Sequence, residues 1–299
     1  MLNLFKSGNP YLRSIKGLSV DMNSGAFSDE TAEIHYLDGG GTGTPVVFIH
    51  GNSASKDVFS SQYAMLMRAG FRPVGVDLPG HGQSSDAKAS PASTYTISNY
   101  ARITKALVDH LALDRPILAG WSLGGHVAIE YSGHGWPQRG VMIFGTPPAG
   151  PGLEDLASAF LPSEAGAVTG LENPTKAQLN AYVEAVYGTL EDIPEFCHLA
   201  AQRADGRSRT AMFEHWASGV EGSHQGTVMR GLLQPTCCVH GRLDAFVSSD
   251  FLTTMKWGGG LFRNAPIMLD NAGHAPFMET PETFNEILLE FCKHCEAQL

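Results

Sequence analysis

Short, wholly apolar runs alternate along this chain with stretches whose apolar residues recur every three or four positions. Val46-Val47-Phe48-Ile49 precedes a helical pattern from about Lys56 to Ala69, and Val74-Gly75-Val76-Asp77 precedes another from about Ile97 to Leu111. Ile117 to Gly120 leads into a helix after Leu123, and Val141-Met142-Ile143-Phe144 follows. Continuous apolar runs of this length read as strands covered on both faces, so the alternation predicts a mostly parallel sheet flanked by helices. After Gly145-Thr146-Pro147-Pro148 the rhythm stops, and only helical patterns run on to about Gly231. That break predicts a helical cap, residues 147–231, inserted into a core made of residues 1–146 and 232–299. Within it, Thr175-Lys176-Ala177-Gln178 reads as a capping box, followed by Leu179, Tyr182, Val183 and Val186 at helical spacing and Gly188 as the stop. The strand rhythm resumes with Thr236-Cys237-Cys238-Val239 and Pro266-Ile267-Met268-Leu269, and a last helix spans about Pro281 to Cys295.

Composition narrows the partners. With 299 residues, 43% of them hydrophobic, the chain has enough apolar side chains for one large core or a core plus a subdomain. Thirty acidic residues against 20 Lys and Arg give a net charge of −10, which repels phosphate backbones and anionic bilayers. Neither nucleic acid nor a membrane is expected as a partner. No apolar run reaches the roughly 20 residues of a membrane span, and the first residues lack the apolar block of a secretory signal, so a cytoplasmic location is expected. Residues 1–20 read as an N-terminal extension; Lys6, Arg13 and Lys16 without any acid also suit a transit peptide. Five cysteines form no disulfide framework and fit a reducing compartment. Cys292-Lys293-His294-Cys295 offers too few ligands for a structural zinc site, and its place at a helix C-terminus disfavours a thiolate. No metal or cofactor is expected.

The chemistry starts at Gly120-Trp121-Ser122-Leu123-Gly124, where a serine between glycines ends a predicted strand and opens a helix. Such a turn presents its hydroxyl above the sheet, which makes Ser122 the candidate nucleophile. A base is needed, and the loop Asn271-Ala272-Gly273-His274-Ala275-Pro276-Phe277 supplies His274. His50 and His81 lie in glycine turns and His126 on the helix after the serine, all better suited to structural roles. Asp244, in the loop after the strand before, is the candidate acid that orients His274. Asp270 is its competitor but falls inside a predicted strand. The order Ser122, Asp244, His274 is that of the α/β-hydrolases. Two N–H groups are required for the developing oxyanion: the backbone of Leu123, and that of Asn52 in His50-Gly51-Asn52-Ser53, with Gly51 the weaker choice. Asp77-Leu78-Pro79-Gly80-His81-Gly82 reads as a scaffold turn.

On His50-Gly51-Asn52, Asp77 to Ser84, Gly120 to Gly125, Asp244 and Gly273-His274, the chain resembles the α/β-hydrolase family over residues 30–299. More narrowly, Phe144-Gly145-Thr146-Pro147-Pro148, Ala204-Asp205-Gly206-Arg207, Gly120 to His126 and Asp270 to Phe277 look like the metal-independent N-acyl-homoserine lactonases of this fold. That resemblance implies a serine hydrolase that opens the lactone of quorum-sensing signals (quorum quenching), needs no cofactor, and takes a small-molecule lactone or ester as its partner. It also implies a substrate-binding role for Tyr182 in the cap, and Trp121, beside the nucleophile, is a further substrate-binding candidate. Phe160, Val183, Val186, Phe196, Phe213 and Trp216 are candidates to receive an acyl tail. Two features depart from the pattern: Asp244 stands where the lactonases carry Glu, and the N-terminal extension has no counterpart. A carboxylesterase on acyclic esters and a ligand receptor that does not turn over are the alternatives. A haloalkane dehalogenase is excluded because displacement at carbon there needs a carboxylate where this chain has Ser122. A metal-dependent lactonase is disfavoured by the lack of clustered histidines, and a cofactor-free oxygenase is the remotest reading.

Overall fold

The apolar runs form the middle of an eight-stranded sheet. The computed structural model describes residues 22–220 and 222–298, so the basic extension of residues 1–20 lies outside the described residues. Two strands come first, β1 (Asn23–Ser28) and β2 (Glu33–Asp38). They are followed by β3 (Pro45–Ile49), β4 (Arg72–Val76), β5 (Ile117–Trp121), β6 (Gly140–Phe144), β7 (Thr236–Gly241) and β8 (Ile267–Leu269). The spatial order is β1-β2-β4-β3-β5-β6-β7-β8. Strands β3 to β8 run parallel to one another, while β2 is antiparallel to both β1 and β4. This antiparallel pair is absent from the apolar pattern for a physical reason: β1 is an edge strand with no residue fully buried, so Asn23-Ser24-Gly25-Ala26-Phe27-Ser28 carries no continuous apolar run. By contrast β3, β5, β6 and β7 are buried at every position.

A 3₁₀ turn (Lys56–Phe59) leads into α1 (Ser60–Arg68); α2 (Pro91–Thr94), α3 (Ile97–His110) and α4 (Leu123–Gly133) complete the first half. Between β6 and β7 the chain is helical: α5 (Leu153–Ala159), α6 (Glu164–Ala167), α7 (Lys176–Val186), α8 (Glu195–Arg203), α9 (Gly206–Ala217) and α10 (Gln225–Gly231). Then come α11 (Ser249–Thr254), α12 (Pro276–Glu279) and α13 (Pro281–Ala297). Helix α7 starts at the capping box read from the sequence, with Thr175 Oγ1 accepting from the Gln178 N–H and Gln178 Oε1 from the Thr175 N–H, and it buries Leu179, Tyr182, Val183 and Val186.

Strand β4 lies on one side of β3 and β5 on the other, so the winding of the sheet reverses at β3. In parallel sheets such a reversal opens a crevice at the carboxyl ends of the two diverging strands. Here those ends are Ile49 and Trp121, followed directly by the loop carrying Asn52 and by Ser122. Below the crevice, Lys56 and Asp77 form an ion pair buried at both ends.

Among the described residues no helix is long and apolar enough to cross a membrane, and no group of three or more His, Cys, Asp or Glu could hold a metal. All five cysteines are free and buried. Burial pushes the Cys197 and Cys295 thiols up to about 12. Native protein at pH 8 is therefore expected to show no fast-reacting thiol toward Ellman's reagent, with all five titrating in guanidinium. Rapid labelling of the folded protein would contradict that packing.

Candidate active site

Ser122 sits at the turn between β5 and α4 with φ 52° and ψ −119°, a backbone state costing a non-glycine residue about 1–3 kcal/mol. Close packing sustains it. A Cβ on Gly120 would run into the Gly124 carbonyl, and one on Gly124 into the Ile49 carbonyl, so both positions admit only glycine at this approach of β3, β5 and α4. The Ser122 N–H donates to the Phe144 carbonyl at 3.0 Å, and Thr146 Oγ1 donates to the Ser122 carbonyl at 3.0 Å.

His274 Nε2 lies 3.0 Å from Ser122 Oγ, and His274 Nδ1 lies 2.9 Å from Asp244 Oδ2. The other carboxylate oxygen of Asp244 accepts the Phe246 and Val247 N–H groups at 2.8 and 3.1 Å. Burial pushes the Asp244 carboxyl up, but the facing His274, the nearby His240 and the Phe246 N–H together outweigh it and hold the group below the ordinary carboxylate range. An ionised Asp244 fixes the proton of His274 on Nδ1 and leaves Nε2 free to take the proton of Ser122. A second buried histidine, His240, approaches Asp244 at 3.7 Å and has its other nitrogen 3.0 Å from Ser249 Oγ. Asp270 is not in a strand. It follows β8, is exposed, and pairs with Arg242.

The structure therefore brings Ser122, His274 and Asp244 into one hydrogen-bonded line. Leu123 follows Ser122 at the start of α4 and Asn52 lies in the loop after β3; both are largely buried, and among the described residues neither backbone N–H is donated to a protein acceptor. Tyr182 reaches down from α7 and donates its hydroxyl to the Asn52 carbonyl at 3.0 Å. Trp121 is 1% exposed, its indole N–H donates to the His274 carbonyl at 2.8 Å, and its ring packs on Phe277, which ties it to the histidine loop. Glu279, which the sequence did not single out, holds the same loop by accepting the Gly273 N–H at 2.6 Å.

Three other buried histidines, His50, His81 and His126, lie in other surroundings. His50 accepts the Leu78 N–H and contacts the Gly51 carbonyl. Burial drives His81 down to about 3 and His126 to about 4, which keeps both neutral. His126 meets Gln225 at 2.7 Å and stands edge-on to Trp216. Of the acyl-tail candidates, Val183, Val186 and Trp216 are buried, whereas Phe213 is exposed.

The family model described as "Alpha/beta hydrolase family" matches residues 46–287. The fold is similar to that of the N-acyl homoserine lactonase AidH complexed with N-butanoyl homoserine. The TM-score is 0.85 at 33% identity, covering 91% of this chain and 97% of that one. A 2-hydroxy-6-oxononadienedioate/2-hydroxy-6-oxononatrienedioate hydrolase of Pseudomonas putida is 28% identical over 280 residues, 89% of this chain and 94% of the relative. The AB hydrolase superfamily protein YisY of Bacillus subtilis (strain 168) is 27% identical over 268 residues, 84% of this chain and 92% of the relative.

Proposed function

This chain belongs to the alpha/beta hydrolase family and is a hydrolase, and from that premise we propose that it opens the lactone ring of N-acyl-homoserine lactones through Ser122, His274 and Asp244. The observation that carries the reading is the likeness to the N-acyl homoserine lactonase across 91% of this chain and 97% of that one.

In the first half-reaction Ser122 Oγ bonds to the lactone carbonyl carbon while His274 Nε2 takes its proton. The carbonyl oxygen becomes an oxyanion received by the Leu123 and Asn52 N–H groups. The bond from that carbon to the ring oxygen then breaks, and His274 returns the proton to the leaving alcohol. Because the alcohol belongs to the same molecule, the whole substrate stays esterified to Ser122 with its own nucleophile tethered beside it. A tethered group of this kind re-attacks at an effective concentration of up to about 10⁵–10⁸ M, so turnover requires the opened chain to be held away while His274 deprotonates water. The hydroxyl of Tyr182 has its proton on Asn52, so it offers lone pairs to the substrate, which suits the amide N–H of the acyl chain.

Steady-state kcat/KM on N-hexanoyl-homoserine lactone, p-nitrophenyl butyrate and 2-hydroxy-6-oxononadienedioate tests the proposal. The lactone is expected to lead each of the others by at least about tenfold, a difference of about 1.4 kcal/mol in transition-state binding. Cleavage of the acyclic ester or of the dienedioate with the lactone untouched defeats it.

A further inference from the structure

The loop after β3 is gripped by two helices of the segment inserted between β6 and β7. From α7, Tyr182 holds the Asn52 carbonyl. From α9, Arg209 Nη1 donates to Ser53 Oγ at 3.1 Å, and that hydroxyl donates onward to Asn52 Oδ1 at 2.8 Å. Ser53 and Arg209 are each 4% exposed, and Ser53 has φ 57°, so the segment is buried and locally strained. The other donors of Arg209 go to the Leu171 and Glu172 carbonyls at 2.8 and 3.3 Å.

All three acceptors of this buried guanidinium are uncharged oxygens. Burying a cation without a carboxylate works against folding, and burial does depress the Arg209 pKa from its ordinary value. What the side chain supplies is geometry: a rigid fork that joins two carbonyls of the inserted segment to the Ser53 hydroxyl and polarises it toward Asn52. With the Asn52 carbonyl held by Tyr182 and its side chain held by Ser53, the residue is left one orientation. We propose that Arg209 and Ser53 are positioning residues that fix the Asn52 backbone N–H for the oxyanion, so that the inserted helices set the rate of bond breaking as well as enclosing the substrate. The inference rests on the reading of Asn52 as an oxyanion donor.

Ser53→Ala, Arg209→Met and Arg209→Lys test it with N-butanoyl- and N-decanoyl-homoserine lactone as substrates and circular dichroism as the folding control. Misplacing a group by about 1 Å costs on the order of 10²-fold, so Ser53→Ala and Arg209→Met should lose about 10- to 100-fold in kcat. KM should stay within about twofold, and the loss should be the same for both acyl lengths, because a displaced oxyanion donor is felt in the transition state alone. Arg209→Lys keeps the charge without the fork and should recover only part of the rate. Ser53→Ala with the parental kcat overturns the proposal, as does a loss that appears in KM and varies with chain length, which marks a substrate contact. Should Arg209→Met fail to fold, Ser53→Ala decides alone by the same criteria. A parent protein that opens no lactone or ester overturns the oxyanion reading beneath the proposal, a failure visible before any variant is compared.

Discussion

Ser122→Gly is expected to be an inactive and more stable protein. Removing the nucleophile of a Ser-His-Asp arrangement costs about 10⁴- to 10⁶-fold in kcat, leaving what the oxyanion donors and binding supply. At φ 52° and ψ −119°, glycine has none of the steric cost that serine bears, and relief of that strain should raise stability by about 1 kcal/mol. Ser122→Ala should lose the same activity without the gain, because alanine keeps the Cβ. Single-turnover rates and urea midpoints measured on both variants read the two effects separately. Turnover within about tenfold of the parent in either variant would remove Ser122 from the chemistry, and a lower midpoint for the glycine variant would remove the strain from the account.

The largest loss of stability is expected at Asp77→Asn. Asp77 and Lys56 are buried together beneath the loop that carries Asn52, and Asp77 also accepts the Lys56 and Gln83 N–H groups at 2.8 Å each. The amide leaves the Lys56 ammonium buried without its counter-charge, a change that costs about 3–5 kcal/mol in comparable buried pairs. It should appear as a lower urea midpoint at unchanged slope. Lys56→Met combined with Asp77→Asn removes both charges while keeping an acceptor oxygen for the backbone N–H groups and should recover part of the loss, whereas additive single losses would show that the two residues do not act as a pair. The pair also sets a direction with pH. Burial raises the Asp77 carboxyl, but the Lys56 charge, together with His50 and the hydrogen bonds from the Lys56 ammonium and the Gln83 N–H, outweighs it, so the native value lies below the ordinary one. Its contribution is therefore complete above the usual carboxylate range and is lost as pH falls through the lower native value. Asp77→Asn should flatten that acid limb.

The placement of the candidate site at the carboxyl ends of β3, β5, β7 and β8 was legible in the sequence because each strand there is a continuous apolar run and each candidate side chain follows within a few residues. Ser122 and His274 needed only local pattern and chain order. The antiparallel strands β1 and β2 were not legible, since a strand that faces solvent at its edge has no apolar run to announce it. Nor were the contacts that link distant segments. Tyr182 could be placed on the buried face of its helix, but its hydroxyl bond to Asn52 spans 130 positions. The bond between Arg209 and Ser53 spans 156. The bond from the Trp121 indole N–H to the His274 carbonyl spans 153. Local spacing carries the direction of a side chain only where helix or strand period fixes it.

The central claim is that Ser122 opens a homoserine lactone by acyl transfer. Mass spectrometry of N-hexanoyl-homoserine lactone incubated with the parent protein and with Ser122→Ala tests it most directly. The account predicts a single product one water heavier than the substrate, formed by the parent and reduced to the uncatalysed rate with Ser122→Ala. A lactone left intact by the parent, or opened equally by both proteins, would contradict it.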